Sequence, residues 1–385
     1  MRPLIAAVAD VHLAPHARHG GLLQAGVNSR ARMIADVLAE AVRGASEAGA
    51  GAFVVCGDLH DVDDPAPQVL ALSAAVFANS TVPVVLLVGN HDQRSTLPGD
   101  HCLGPLAAVP GIYVIERPTI IPLTVEGVDA DLLAIPFEPS HAREYIPARI
   151  AELSARARPG SVRIVAAHVG VSDARTSFFL RDSHEAIPAS ELLDVMHAHG
   201  VAVSVVGNWH DRHLWSSPGP DGTARTVVQC GALVPTGWDN PGGAGRYGGV
   251  VTVGRGGEVA ATELPGPRFF VVRRPPELAA ALADPTARPP FVRWDDAPPA
   301  LVDAIRESLD AAPLGGYDVV VDRTSAEAVA EGARTAAQAT TSAPAAVRAY
   351  VLAREYPAGV TPAEVLAAVE GHLGTTTTSR DPEEL

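Results

Sequence analysis

The chain contains no lysine. All 29 basic residues among its 385 are arginine, set against 44 acidic ones, for a formal net charge of −15. With so much alanine, glycine, proline and valine alongside, the uniform choice of arginine reads as the imprint of a GC-rich genome. A free-standing nucleic-acid binder presents a basic face, and no arginine cluster here is dense enough to form one. If nucleic acid is the substrate, a partner or a metal site must supply much of the attraction. Cysteine is scarce as well: Cys56, Cys102 and Cys230 form an odd, scattered set without metal-type spacing. That excludes a disulfide framework and reads as the reduced thiols of a cytoplasmic protein. Long apolar runs are missing too. None approaches the roughly 20 residues of a membrane helix, and Asp10 breaks the N-terminal stretch MRPLIAAVADVHLAPH before it resembles a signal peptide. No membrane association is expected.

What is present is an apolar, alternating chain. Hydrophobic residues make up 47%, enough for a globular protein with a sizeable core and two or three domains. PLIAAVAD, AFVVCGD, VPVVLLVGNHD, VRIVAAHVG and VAVSVVGNWH are uniformly apolar runs, as expected of strands covered on both faces in a layered α/β fold. Between them, NSRARMIADVLAEAVRGASEAG has helical periodicity, with Asn28 or Ser29 as N-cap and Gly49 just past its end. APQVLALSAAVFANS is a second helix with Pro65 and Pro67 near its start. TIIPLTVEGVDADLLAIPF reads as a hairpin turning near Gly127. These segments define a main domain over residues 1–265. Residues 266–324 read as strand, helix, strand, a small second domain. Residues 325–373 hold an Ala-rich connector and two short helical stretches, AAVRAYVLAREY and TPAEVLAAVEGHL, and residues 374–385 form a disordered tail.

The strands stop in a consistent way. The first ends in Asp10-Val11-His12 and the second in Gly57-Asp58-Leu59-His60-Asp61. The third ends in Gly89-Asn90-His91-Asp92, a later one in His168, and the last in Gly207-Asn208-Trp209-His210. In layered α/β folds, ligand sites lie outside the carboxyl ends of the strands. Asp, His and Asn side chains together suit a divalent ion such as manganese, iron or zinc. Asp10 and His12 can converge on one ion if the chain stays extended past its strand. There are too many ligands for a single ion, and they fit two ions roughly 3.5–4 Å apart bridged by a carboxylate. Each piece alone has a plainer reading: a solvated Asp and His, a Gly-Asp turn, a capping Asn, a satisfied histidine. The five in order do not.

That order, D-x-H, GD-x-x-D, GNHD, a lone His and then a GHxH-like motif, resembles the calcineurin-like metallophosphoesterases. The resemblance implies a β-sandwich flanked by helices, with a small C-terminal capping domain. It implies that Asp10, His12 and His210 hold one ion, that Asn90, His168 and Asn208 hold the other, and that Asp58 bridges them. His91 would serve as general acid, oriented by Asp92, with Asp61 in a supporting role. In the last motif Asn208 stands where the family has histidine, which implies a weaker second ion site; a frame shifted to His210 and His213 breaks the spacing. Within the superfamily, DVHLAPH, GDLHDVDDPAPQVL, QCGALVPTGW and ELPGPRFFVV resemble the SbcD-type DNA repair exonucleases.

The leading expectation is therefore a two-metal phosphodiesterase, most simply with Mn2+ (Fe2+ or Zn2+ being alternatives). It would cut DNA by in-line attack of a metal-bound hydroxide and work with an SbcC-type coiled-coil ATPase that could dock on the C-terminal helices; a homodimer is also open. The alternatives are a phosphatase or cyclic-nucleotide phosphodiesterase on a small substrate, and a non-catalytic binding protein of the same fold. His16 and His19 read as solvated loop residues within reach of a substrate phosphate. His184, His197 and His199 have no partner in view, and Trp238 and Tyr247 read as loop-packing residues that could stack on a base.

Overall fold

Each uniformly apolar run becomes a strand whose alternate side chains enter two different cores. The computed structural model describes residues 2–97, 99–174, 176, 183–219, 222–238 and 249–321. Strands β1 (Ile5–Val8), β2 (Phe53–Val55), β3 (Val84–Leu87) and β4 (Ile112–Ile115) run parallel in one six-stranded sheet. A hairpin and two long parallel strands follow: β5 (Thr119–Val125), β6 (Val128–Ile135), β7 (Val162–His168) and β8 (Val201–Gly207). With β9 (His213–Pro218) and β10 (Ala224–Gln229) they make a second sheet of order β9-β10-β8-β7-β6-β5. The chain then returns as β11 (Gly249–Val253) and β12 (Val259–Glu263), completing the first sheet in the order β12-β11-β1-β2-β3-β4.

The two sheets pack face to face. Ile5, Ala7, Val54, Cys56 and Val85 meet Leu132, Ile164, Ala166, Val203 and Val205 in the central core. The alternate residues Ala6, Val8, Phe53, Val55 and Leu86 point outward beneath helices α1 (Ser29–Ala48) and α2 (Pro67–Phe77). On the opposite side, Leu133, Val165, Ala167 and Val206 lie beneath α3 (Ala142–Arg156) and α4 (Ala189–His199). The result is four layers, helix–sheet–sheet–helix, the metallophosphoesterase arrangement expected from the sequence. A strand buried on both faces has no polar face to alternate, which is why these runs carry no period-2 pattern.

Local signals in the sequence translate directly. The Asn28 side chain accepts from the Ala31 amide at 2.9 Å and caps α1, and Gly49 closes it in the left-handed conformation. Glu126 and Gly127, both at positive φ, turn the β5–β6 hairpin.

After β12 comes a small α/β unit: β13 (Gly266–Val272), α5 (Pro275–Ala283), β14 (Ala287–Ala297), α6 (Val302–Asp310) and β15 (Gly316–Val321). Its sheet, β13-β14-β15, covers its own core of Val272, Leu278, Val292, Trp294, Ile305 and Leu309. The strand–helix–strand reading lacked β13 and α5. Pro267 and Arg268 interrupt the apolar run of the first, and Pro275 and Pro276 open the second, which hides both patterns in the sequence. Among the described residues no helix is long and apolar enough to cross a membrane. The connector, the two C-terminal helical stretches, the tail and Tyr247 lie outside the described residues.

Candidate metal centre

Five strand ends meet at one rim, along the seam between the two sheets. The first two motif loops run side by side: Asp10 donates its amide to Gly57 O (3.2 Å), Val11 to Asp58 O (2.9 Å) and Leu13 to Leu59 O (3.0 Å). Convergence of Asp10 and His12 does not come from an extended chain. Both sit in the left-handed region, at φ 49° and 47°, as does Asp58 at 52°, and Asn208 stands at 101°. Non-glycine residues avoid this region, at a cost of about 1–3 kcal/mol each, and cluster at functional sites when they do occupy it. Two glycines make room for the acidic and imidazole groups. A Cβ on Gly89 would lie 2.1 Å from Asp58 Oδ1, and one on Gly57 would lie 2.1 Å from His168 Nδ1.

Asp10, His12, Asp58 and His168 are all buried. His12 Nε2 faces His210 Nε2 at 3.0 Å and lies 3.9 Å from Asp58 Oδ2. His168 Nε2 lies 3.4 Å from Asp58 Oδ2 and 2.7 Å from Asn90 Oδ1, while its Nδ1 faces Cys56 O at 2.7 Å. Asp58 therefore stands between two donor groups. One contains Asp10, His12 and His210, and the other contains Asn90 and His168. His210, not His213, meets His12; His213 starts β9 beside Trp215, with ring centroids 5.5 Å apart.

Asn208 enters by its backbone, its amide donating to both Asp10 oxygens at 2.9 and 3.1 Å. Its side-chain Nδ2 is buried without a hydrogen-bond partner.

Electrostatics in this rim is dominated by the acids and imidazoles themselves. Burial pushes the Asp10 carboxyl up to about 6, against the pull of His168. Burial acts the same way on Asp58, yet His168, His12 and His91 together hold it well below the usual carboxylate range. His168 loses affinity for its proton through burial but regains more from Asp58, and is raised to about 9. Burial and the neighbouring His12 charge lower His210 to about 4. Asp58 and His168 thus each favour the charged form of the other.

Two roles differ from expectation. Asp92 does not orient His91. Its carboxylate is fully buried and accepts from the amides of Gly89 (3.0 Å), His60 (3.1 Å) and Leu59 (3.4 Å), tying the second and third motif loops together. His91 is exposed, and its Nδ1 faces the carbonyl oxygen of Asp61 at 2.9 Å. Asp61 is the hub: its carboxylate also reaches His12 Nδ1 at 3.0 Å and His16 Nδ1 at 3.8 Å. Neither His16 nor His19 is a solvated loop residue. His16 Nε2 lies 3.1 Å from His12 O, and His19 Nε2 lies 3.2 Å from Asp318 Oδ2 on β15. Trp238 packs on Phe269 and donates to the same Asp318 oxygen at 2.6 Å.

The donor set fits a pair of divalent ions. Neighbouring donors of an octahedral ion at about 2.0–2.2 Å lie about 2.8–3.1 Å apart, near the His12–His210 and His168–Asn90 separations of 3.0 and 2.7 Å. Carboxylate, imidazole and carboxamide together suit borderline-hard first-row ions.

The family model described as calcineurin-like phosphoesterase matches residues 3–212. The chain belongs to that family. Its matched region contains all five motif loops of this metallophosphoesterase, from Asp10 to His210. Solved structures similar to it include TT1561 of Thermus thermophilus, at 11% identity over 68% of this chain and 99% of that one, with a TM-score of 0.43. GAP50, the anchor in the inner membrane complex of Plasmodium, has 12% identity over 69% of this chain and 89% of its own, with a TM-score of 0.40. The purple acid phosphatase PPD1 from yellow lupin (Lupinus luteus) seeds has 12% identity over 66% and 49%, with a TM-score of 0.39. Comparison with curated proteins finds no match.

One buried group escaped the sequence reading. His60, Asp92 and Cys102 come together behind the rim, although they are separated by 32 and 10 positions in the chain.

Proposed function

We propose that this metallophosphoesterase is a two-metal phosphodiesterase. Asp10, His12 and His210 hold one ion; Asn90, His168 and Asn208 hold the other; Asp58 lies between. The observation that carries this is the pair of short donor contacts, His12–His210 and His168–Asn90, on either side of Asp58. When bound, two divalent ions, manganese first among them, supply charge for the phosphate and lower the pKa of the attacking water. His91 supplies the proton. Because a carbonyl oxygen can only accept, His91 Nδ1 keeps its proton for the Asp61 carbonyl, so the proton given to the leaving oxygen would be the second one, on Nε2 of the imidazolium. Asp61 holds His12 and His91 in register with each other.

The substrate we favour is DNA, with the chain acting as an SbcD-type nuclease in the cytoplasm beside a coiled-coil ATPase that provides positive surface. Supporting this, the small α/β unit reaches the loop after the first motif through Asp318, His19 and Trp238, as a substrate-contacting cap would. One observation favours a small phosphoester instead. A cleft of about 350 Å³ beside the rim, whose Phe137 contacts the His168 ring, is walled by Asp100, Glu116, Glu138 and Glu152 against Arg117 and Arg149, a net negative lining. Such a wall repels a polyanion.

The test is manganese-dependent hydrolysis of bis(p-nitrophenyl) phosphate and of linear DNA, by wild type and His91→Ala. Cleavage of both, reduced roughly 10²–10⁴-fold by the substitution, supports the DNA reading. Cleavage of the diester with DNA intact, even with the ATPase added, selects the small substrate. No turnover of either overturns the enzymatic reading.

A further inference from the structure

Behind the rim, His60, Asp92 and Cys102 present three different metal-ligating atoms to one point. Cys102 Sγ lies 3.4 Å from His60 Nδ1 and 3.8 Å from Asp92 Oδ1, and His60 Nδ1 lies 3.8 Å from the same oxygen. All three residues are buried. They come from different places: His60 from the second motif loop, Asp92 from the end of the third, and Cys102 from the far end of the loop that follows. That loop closes on itself through the Cys102 amide, which donates to Asp92 O at 2.9 Å.

The protonation of His60 follows from its other side. Ser73 Oγ donates to Val69 O at 3.1 Å. Its single proton is thereby used, so at the 2.9 Å contact with His60 Nε2 the serine accepts and the imidazole donates. His60 Nδ1 then carries a lone pair aimed at Cys102. A neutral imidazole lone pair, a thiol and a carboxylate around one point form a zinc-type donor set. Ligands of a tetrahedral zinc with these bond lengths lie about 3.4–3.6 Å apart, close to the three separations here.

We propose that His60, Asp92 and Cys102 form a third metal site, separate from the rim pair and selective for a thiophilic ion such as zinc. Binding breaks the Cys102 S–H bond, releases that proton to solvent and forms the metal–sulfur bond. One dication with one thiolate and one carboxylate is neutral, so burying it carries little of the penalty of an isolated charge. The ion would staple the second and third motif loops, and with them Asp58 and His91, and would anchor the loop that lines the acidic cleft. The hydrogen-bonded cluster without an ion is the competing structure.

Sulfur distinguishes the two, because the rim offers only oxygen and nitrogen donors. The full-length protein is stripped with a chelator and titrated with cobalt(II). A sulfur-to-cobalt charge-transfer absorption is expected, together with one ion per chain beyond the rim pair. Cys102→Ser should abolish the absorption and that ion, whereas Cys56→Ser and Cys230→Ser should keep both. X-ray absorption of the zinc-loaded wild type gives an answer that needs no variant: a sulfur neighbour at about 2.3 Å is expected. No charge-transfer band and no sulfur neighbour in the loaded wild type, or a band that survives Cys102→Ser, overturns the proposal. Since neither readout uses turnover, an inactive protein that shows the band would refute the phosphodiesterase reading alone.

Discussion

Replacing Gly89 with alanine should disable the centre and strain the two motif loops that carry it. The added methyl would sit 2.1 Å from Asp58 Oδ1 and 2.3 Å from the Asp58 amide nitrogen. Ordinary contact needs about 3.4 Å or more, so one partner must move by over about 1 Å. The carboxylate can turn away, but the clash with the Asp58 amide nitrogen also forces apart two loops that are tied by the Gly89 amide to Asp92 and by the Asp58 carbonyl to Val11 and His12. That carboxylate stands between the two donor groups and accepts the His91 amide at 3.0 Å. A displacement of this size in a positioned group costs about 10²-fold in rate, or about 3 kcal/mol. Manganese-dependent diester hydrolysis and calorimetric ion titration would read it: activity down at least about 10²-fold, both ions weakened, and thermal stability of the chelated protein lowered as well. Gly104→Ala is the control, since nothing lies within 4 Å of a Cβ there. A Gly89→Ala enzyme with near wild-type turnover would refute the assignment of Asp58 as the bridge.

Other residues give sharper separations. Asn208→His replaces a neutral carboxamide by the imidazole of the GHxH-like pattern, so the second ion should bind more tightly in a manganese titration; equal or weaker binding would count against Asn208 as a ligand. Asp61→Asn should weaken the first ion about 10–100-fold, because the carboxylate behind His12 is lost. His91 is held by the Asp61 carbonyl and not by the side chain, so hydrolysis at saturating manganese should recover; persistent loss would place Asp61 in the chemistry itself. Far from the rim, burial pushes the Asp131 carboxyl up, but bonds from the Arg158 amide (2.6 Å), Arg158 Nε (2.7 Å) and Ser161 Oγ (2.9 Å) outweigh it and hold its pKa below the ordinary value. A depressed folded pKa stabilises above the unfolded value of about 4 and is lost as pH falls through the folded one. Asp131→Asn should therefore cost about 1.5–3 kcal/mol at neutral pH, with the melting curves of variant and wild type converging below about pH 4.

Much of this was legible in the residue order because strand ends are where an α/β sandwich must place its chemistry. Uniform apolar runs announce two-sided burial, and a polar residue directly after such a run has left the core at the rim. Asp10, Asp58, His91, His168 and His210 were singled out that way, and they share one rim. What the order could not show was direction. Asp92 follows His91 immediately and looked like its orienting partner, but the backbone turns the carboxylate inward to amides of another loop. Asp61 looked secondary because its partners, His12, His16 and His91, come from other loops. The His60–Cys102 contact has no signature at all, because its spacing reflects how two loops fold back and not a local repeat.

The position of the centre also explains why its backbone is strained. The first sheet contributes Asp10, His12, Asp58, Asn90 and His91, and the second contributes His168, Asn208 and His210. The sheets can bring these side chains together only where they approach most closely. Gly207 marks that place: a Cβ there would lie 2.4 Å from Cys56 O and 2.8 Å from the Ala9 Cβ. So near the seam, an extended strand would carry its next side chain past the partner sheet, and the left-handed turns at Asp10, His12, Asp58 and Asn208 instead fold them back toward one another. Each turn costs free energy and brings carboxylates together in a buried space, both unfavourable to the protein alone. Positive charge placed between Asp10 and Asp58 offsets both costs at once, and the protonated His168 paired with Asp58 supplies only part of it. A strained, acid-rich seam is what a fold built around two cations should contain.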